Sequence, residues 1–348
     1  MMRGVQGLNP PKTNRNASRS RLLLGSAALI LAFLALDIGS GAAALSWHEV
    51  WHALTHPQQP DSTAHFIVWE LRLPQALMAI VVGASLGLAG AEMQTVLDNP
   101  LASPFTLGVS SAAALGAALS LALGVHIPGI PVQYAAAANA FILALLCSLM
   151  LDQAARRMKM AQQGIVLLGI ALVFGFNALL TLIQLVSDAA ALQNLLYWMM
   201  GSLSSSRWPD VAFLTAALLV TGIASWRQAW PLTALRFGEE RAGSLGVDTR
   251  RVRRWALLRV SLLAATAVAL VGVVGFVGLV APHIARRLWG EDHRWFLPAS
   301  ACTGALILLA ASACAKQLNT QIEIPVGIVT TLIGIPFFIG VLSRRRQH

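Results

Sequence analysis

Long apolar runs recur along the entire chain, and they constrain its fold more than any other feature of the sequence. A helix needs about 20 apolar residues to cross the hydrocarbon core of a membrane, and most of the runs reach that length. The segment 276–289 is the weakest, because it is short and contains Pro282 and His283. A broken or partly re-entrant helix is the alternative there, provided that protein surrounds it. The sequence predicts ten crossings, at 22–44, 74–97, 105–124, 133–151, 164–186, 211–230, 255–275, 276–289, 296–315 and 325–342.

Composition supports the same fold class. Charged residues make up 11% of the 348 residues, whereas a soluble domain carries about a quarter. Because so few charges cannot cover a soluble surface, most of the surface must face lipid. A transmembrane barrel would instead show short segments of alternating polarity. We therefore predict an all-α polytopic membrane protein with a single transmembrane domain over residues 1–348.

The basic residues predict the orientation of this domain in the membrane. If the tail 1–21 is cytoplasmic, 22 of the 25 lysines and arginines fall in cytoplasmic segments, and the exceptions are Arg72, Arg207 and Lys316. A wrong number of crossings would scramble this asymmetry, so both termini are predicted to be cytoplasmic. The first run is long for a signal peptide and contains Asp37, which favours an uncleaved helix. The net charge of +10 reflects this distribution, and no nucleic-acid partner is predicted.

The segment GEERAGSLGVDTRRVRR, residues 238–254, is out of place in so apolar a chain. It holds five arginines, two glutamates and an aspartate, with three glycines that allow tight turns. A cytoplasmic position explains the arginines. It leaves unexplained the Gly-Glu-Glu at 238–240 and the Leu-Gly-Val at 245–247.

The chain lacks the signatures of a catalytic or energy-coupling site. None of its lysines belongs to a GxxxxGK[ST] loop, so ATP hydrolysis by that route is excluded. It has no GxSxG or HExxH motif, and its three cysteines lie in apolar runs without metal-binding spacing, so no enzyme, metal site or cofactor is predicted. An ion-coupled carrier would bury ionisable groups in the membrane. Glu92 is the candidate, and it either faces a polar path or is solvated near the cytoplasmic end of its helix.

One outer segment, WHEVWHALTH, carries His48, His52 and His56 at four-residue spacing. On a helix these side chains share one face, so a metal site is one interpretation. The other is an amphipathic helix at the membrane interface, with Trp47 and Trp51 at the level of the lipid headgroups. The second interpretation is favoured.

Glycines and prolines mark the boundaries of the predicted helices. Gly83, Gly87 and Gly90 share one helix face and would let another helix approach closely. In the turn NPLASP, two prolines would end one helix and begin the next, and the asparagine can cap. The residues of these boundary motifs are Asn99, Pro100, Pro104, Pro282, His283, Pro325, Gly327 and Pro336.

In their order and spacing these motifs resemble the FecCD-type permease family, the membrane-spanning subunits of bacterial ABC importers for iron–siderophores, haem and cobalamin. The resemblance rests on RLP at 72–74, NPLASP at 99–104, the charged segment, GFVGLVAPHIAR at 275–286 with DHR at 292–294, and EIPVG at 323–327. It covers nearly the whole chain. The sequence departs from the family pattern at Gln75, Asp98, Ser312 and Lys316.

The resemblance implies a multi-pass permease of the bacterial cytoplasmic (inner) membrane, with the helix bundle of vitamin B12 and iron-chelate permeases. Its partners would be a second permease subunit, cytoplasmic ATP-binding subunits, a periplasmic or lipid-anchored substrate-binding protein and membrane lipid. The cargo would be an iron(III)–siderophore, with cobalamin or haem as alternatives. An ion-coupled secondary transporter is the alternative from another class.

The resemblance also implies roles for single residues. The loop 237–254 would form two short helices that couple to the ATPase, through Gly238, Glu239, Glu240, Arg241, Ala242, Leu245, Gly246 and Val247. In this loop Leu245 and Val247 would anchor in a groove of the ATPase. Arg72 and Lys316 would bind carboxylates of the substrate-binding protein. The translocation path would be lined near Gly83, Gly87, Gly90, Glu92 and Gln94.

Overall fold

The computed structural model describes residues 12–43, 45–56, 62–158, 160, 162–318 and 324–345. Within these ranges the regular structure is helical throughout. A π-helical segment, Ile67–Arg72, joins α3 to α4, and a single 3₁₀ turn, Val132–Tyr134, precedes α6. The α-helices are α1 Lys12–Gly39, α2 Trp47–Thr55, α3 Thr63–Phe66, α4 Leu73–Val96, α5 Val109–Leu121, α6 Ala135–Arg157, α7 Gln162–Val186, α8 Ala189–Met199, α9 Trp208–Arg227, α10 Ala229–Leu235, α11 Glu239–Ser244, α12 Thr249–Val271, α13 Val277–Trp289, α14 His293–Leu318 and α15 Val326–Arg345.

The predicted all-helical membrane fold is confirmed. Seven helical segments of the described chain are long and apolar enough to cross a membrane, and α5 and α15 are shorter apolar helices. With the short helix α13, these account for the ten predicted crossings. Two helices extend past the predicted crossings into charged residues. The tail 1–21 includes the start of α1 at Lys12, and the loop 237–254 includes the start of α12 at Thr249.

Helix α4 is the centre of the bundle, and it packs against α14, α12 and α13. Close contact is possible because glycines replace side chains where the helices cross. A Cβ at Gly83 would overlap the carbonyl of Gly304 in α14, and one at Gly90 would overlap the carbonyl of Gly278 in α13. Gly87 meets the backbone of Ser300 in the same way. The predicted role of these glycines in close helix approach is therefore confirmed.

Polar contacts divide the bundle into two ends, which we call inner and outer after the predicted orientation. At the inner end, the indole of Trp289 in α13 donates to the carbonyl of Arg19 in α1, at 3.1 Å. At the outer end, the indole of Trp208 in α9 donates to the carbonyl of Trp69, just before α4, at 3.0 Å. The first contact joins the end of α13 to the N-terminal part of α1, as expected for helices that cross the membrane in opposite directions. The second lies at the starts of α9 and α4, as expected for helices that cross in the same direction.

Of the alternatives that the sequence leaves open for 276–289, a helix broken at Pro282 and His283 is not the one present. Both residues lie inside the continuous helix α13. The break comes earlier, at residues 272–276, where Gly272 has φ +73° and Phe276 has φ +63°. The second value places a bulky side chain in the left-handed region. The phenyl ring of Phe276 packs where a Cβ on Gly334 of α15 would lie, so the glycine in α15 makes room for it.

The turn NPLASP is longer than predicted. Helix α4 ends at Val96, four residues before Pro100, but α5 begins at Val109, so Pro104 does not start it. The N-cap of α5 is Gly108, whose φ of +84° suits glycine. Asn99 caps the turn itself, because its side-chain oxygen accepts from the amide of Leu101 at 3.0 Å.

Candidate functional site

The charged segment forms a compact projection at the inner end. Helix α10 leads into α11, a helix of one and a half turns, and α12 follows after a short turn. Gly238 and Gly246 flank α11 with φ of +95° and +80°, values that glycine adopts without strain. Asp248 ends the turn as the N-cap of α12, where its carboxylate accepts from the amide of Arg251 at 3.0 Å.

Two short helices, α10 and α11, lie between α9 and α12, and α10 ends at Leu235, before the predicted loop 237–254 begins. The structure corrects the predicted role of Val247. Ala242 and Val247 are buried in the hydrophobic core of this chain, so Val247 cannot insert into a partner. Glu240, Arg241 and Leu245 are exposed, with 56% of Leu245 accessible. Phe237, at the start of this segment, is 59% exposed, so two large apolar side chains lie open next to these charges.

Glu239 belongs to this charged segment, but its carboxylate is already paired within the subunit. Its carboxylate is bound by the guanidinium of Arg253 in α12. The Nε of Arg253 also donates to the carbonyl of Val96, the last residue of α4, at 3.2 Å. Arg253 therefore links α11 to the end of the central helix.

The structure does not support Arg72 as a docking residue. Its side chain is 4% exposed and lies inside the outer end of the bundle. The guanidinium donates to the carbonyls of Ile38, at 2.8 Å, and of Ala43. These contacts join the start of α4 to the end of α1. A cation that binds a partner must be reachable, so the docking assignment is corrected to a structural one.

Lys316 needs the same correction. Its ammonium group lies 2.6 Å from the carboxylate of Asp37, which is fully buried near the end of α1. Only 8% of the lysine side chain is exposed. The pair joins α1 to α14 at the outer end, and no free charge is left for a binding protein.

The residues predicted to line the path are also inside the subunit in this structure. Gly83, Gly87 and Gly90 are covered by α14 and α13. The amide of Gln94 donates to the carbonyl of Leu279 and accepts from Arg286, each at 3.3 Å. A path between two subunits must be lined by residues on the surface of each, so this assignment is corrected to helix packing.

Glu92 fits neither of its predicted environments, because it is paired with an arginine inside the bundle. The carboxylate is 1% exposed and accepts from Nε of Arg259, at 3.1 Å, and from a terminal nitrogen of the same guanidinium, at 2.9 Å. The other terminal nitrogen of Arg259 donates to the side chain of Gln228, between α9 and α10, at 3.1 Å. Sequence reasoning missed this partner, although Glu92 and Arg259 are lone opposite charges inside two apolar runs.

The histidine row lies on α2, as its spacing predicts. The rings of His52 and His56 stack with centroids 4.3 Å apart, and those of His48 and His52 lie 6.4 Å apart. In the part of the chain that the structure describes, no three or more histidine, cysteine or acidic side chains are arranged to hold a metal ion. Ser46 caps α2 and donates twice to Glu49, which lowers the pKa of that carboxyl. Trp47 and Trp51 are exposed, as an interfacial helix requires.

The remaining motif residues lie where α13 and α15 meet. The ring of His283 makes an edge contact with Phe337, with centroids 5.9 Å apart. Pro325 precedes α15, and Pro336 lies within it. The amide of Gly327 donates to the carbonyl of Gly201 at 3.2 Å, so this glycine allows three chain segments to meet near the break at 272–276.

Comparison with known proteins identifies the family. The family model of the FecCD transport family matches residues 28–344. The chain belongs to the FecCD transport family. This FecCD protein is 36% identical to the hemin transport system permease protein HmuU of Yersinia pestis, over 94% of its own length and 97% of that protein. It is 38% identical to the vitamin B12 import system permease protein BtuC of Vibrio cholerae, over 97% of each chain.

A solved structure supports the same conclusion for the fold of this FecCD protein. An ABC transporter assigned to the metal-chelate type, in an inward-facing conformation, matches with a TM-score of 0.80 and 29% identity. The match covers 94% of this chain and 99% of that one. The protein is therefore a multi-pass permease of the ABC importer class.

Proposed function

We propose that this permease moves a metal chelate across the bacterial cytoplasmic membrane, driven by a separate ATPase subunit that binds α11. The observation that carries the proposal is the exposed surface of α11, formed by Glu240, Arg241 and Leu245, on a chain without a phosphate-binding loop. A transporter of this kind must receive its energy from another protein, and α11 is an exposed segment suited to that contact. Ala242 and Val247 are buried in the hydrophobic core and so fix α11 to the bundle.

The cargo is proposed to be an iron(III)–siderophore, haem or a cobalamin. All three are large chelates in which organic ligands already hold the metal. Among the described residues, no three or more histidine, cysteine or acidic side chains are grouped to hold a metal ion. The chelate is proposed to cross intact. A substrate-binding protein on the outer side and a second permease subunit complete the proposed assembly.

The paired state of Glu92 argues against an ion-coupled mechanism. A proton carrier needs a carboxylate that is free to gain and lose its proton as it meets each side of the membrane. Glu92 is instead held by Arg259 inside the bundle. Only 1% of the Glu92 side chain is exposed, so in this structure the carboxylate meets neither side of the membrane.

The ATPase contact can be tested by co-purification of the permease with its ATPase partner. Leu245→Asp and Glu240→Arg change the exposed surface of α11, and both are expected to abolish co-purification while the permease stays folded. Arg207→Glu, on an exposed residue at the outer end, is the control and is expected to leave co-purification intact. Normal ATPase binding by both α11 variants would refute the proposed interface.

A further inference from the structure

The inner end of α4 carries Glu92 and Thr95, and Asp98 lies two residues beyond Val96, the last residue of the helix. Residues three apart lie on neighbouring positions of one helix face. Each of the three reaches the α10 segment, residues 228–236, and each does so by a side-chain bridge. The last turn of α4 and the turn that follows it are therefore connected to one segment at three points.

The first bridge is the buried ion pair. Glu92 binds Arg259 of α12, and the same guanidinium donates to Gln228, which immediately precedes α10. Burial of a charge pair costs desolvation that an apolar pair of similar volume would avoid. Packing alone does not account for charges at this position. The pair fixes the start of α10 relative to α4.

The second bridge is His293, the first residue of α14, which is fully buried. Its Nε2 lies 2.8 Å from the hydroxyl of Thr95, and its Nδ1 lies 3.1 Å from the hydroxyl of Thr233 in α10. The amide of His293 also donates to Thr233, at 3.0 Å. One imidazole therefore connects the last turn of α4 to the middle of α10.

The third bridge lies at the surface. Arg236, which caps the end of α10, binds the carboxylate of Asp98 at 3.1 Å and that of Glu291 at 2.6 Å. Asp98 has φ of +43°, a rare conformation for a residue other than glycine, and it places the carboxylate just beyond the end of α4. Beyond this point, Arg253 joins Glu239 of α11 to the carbonyl of Val96.

We infer that these bridges transmit movement from the ATPase to the membrane-spanning helices. When the ATPase binds α11, they shift the central helix α4. The inference rests on the proposed function and specifies its route. Helix α10 connects directly to α11 through Phe237 and Gly238, and its start, middle and end are each held to α4. Helix α4 contacts α14, α12 and α13, so a shift of its inner end is passed directly to these three helices.

The test uses the assembled complex of permease, ATPase and binding protein in lipid nanodiscs. Hydrogen exchange is measured at the amides of α11 and of residues 90–98, with and without ATP plus vanadate. In the wild type, nucleotide trapping is expected to change exchange in both segments. In the double variant Thr95→Val, Thr233→Val, the change is expected to persist in α11 and to fall by about fivefold or more at residues 90–98, as expected for loss of coupling between two sites.

The matched control is Thr266→Val with Thr303→Val. Both threonines are buried, and their hydroxyls donate to carbonyls one turn earlier in their own helices. This control is expected to behave as wild type in both segments. Asp98→Asn provides a second test if the double variant does not assemble, since Asp98 is mostly exposed and the change leaves the core intact. It is expected to weaken the response at residues 90–98 in the same direction.

A second readout is uptake per ATP hydrolysed, with an iron(III)–hydroxamate siderophore, haemin and cyanocobalamin as probes. The bridge variants are expected to lower this ratio, whereas a merely structural defect would lower uptake and hydrolysis together. An unchanged response at residues 90–98 in the bridge variants would overturn the inference. If the wild type shows no nucleotide-dependent change at α11, the proposed ATPase interface fails instead, so the two failures are distinguishable.

Discussion

Replacing Lys316 by methionine tests whether the outer charge cluster stabilises the fold or serves a binding protein. Methionine keeps most of the length of the side chain and removes its charge. The carboxylate of Asp37, which is fully buried, would then lose the ammonium group that lies 2.6 Å from it. The other carboxylate oxygen of Asp37 has no hydrogen-bond partner in the described structure, so no second contact compensates for loss of the ammonium group.

The size of the effect follows from this burial. Removal of one partner from a buried ion pair costs about 3–5 kcal/mol of folding free energy, because the remaining charge is left uncompensated. Arg72 lies close enough to Asp37 for their charges to interact, and this attraction offsets part of the loss. We therefore expect Lys316→Met to lower the free energy of unfolding by about 3 kcal/mol, the lower end of that range.

Denaturant unfolding of the purified permease in detergent–lipid micelles, followed by tryptophan fluorescence, measures this change. The matched control is the double variant Asp37→Asn, Lys316→Met, which removes both charges and is expected to recover most of the lost stability. Affinity for the binding protein is measured in parallel on the same variants. Wild-type stability of Lys316→Met together with weakened binding would refute the structural role and restore the docking role.

Three further predictions concern other parts of the molecule. Gly304→Ala places a methyl group against the carbonyl of Gly83 and is expected to lower the free energy of unfolding by about 1–3 kcal/mol through overpacking. Its control, Gly25→Ala, places the methyl group in open space and is expected to be neutral or stabilising by about 0.5–1 kcal/mol. Both are measured by the same unfolding assay. Glu92→Gln leaves Arg259 buried without its counter-charge and is expected to cost about 3–5 kcal/mol; an equally stable variant would contradict the pairing. Leu245→Asp changes an exposed side chain and is expected to leave the unfolding free energy within about 0.5 kcal/mol of wild type, so loss of stability would show that Leu245 packs within the subunit.

The helices could be predicted from the sequence because length and hydropathy determine whether a segment crosses a membrane. Their ends could not all be predicted in the same way. Helices α1 and α12 continue past the apolar core into charged residues, where hydropathy gives no signal. For α12, the sequence feature that could have marked its start is Asp248, a residue type that caps helix N-termini. The sequence points to Pro282 as the place of a break, because proline is a strong helix-breaking signal. The helix tolerates this proline, and the chain breaks at 272–276 instead.

The exposed surface of α11 could be predicted because its charge contrasts with the rest of the chain. Burial could not be predicted, since a family pattern gives residue types and not their surroundings. Arg72 and Lys316 match docking positions in the pattern, yet both are enclosed at the outer end. Asp37, a lone carboxylate at the end of an apolar run, was the signal that these cations have an internal partner. The link between Glu92 and Arg259 depends on which helices are neighbours, and a single sequence does not contain that information.

Dependence of this permease on a separate ATPase is best tested by measuring whether vanadate stops uptake. The permease, its ATPase and its binding protein would be reconstituted in proteoliposomes and supplied in turn with an iron(III)–hydroxamate siderophore, haemin and cyanocobalamin. We expect uptake of one of these chelates that requires ATP, stops with vanadate and is lost in Leu245→Asp. Uptake by the permease alone, driven by an ion gradient and insensitive to vanadate, would contradict it.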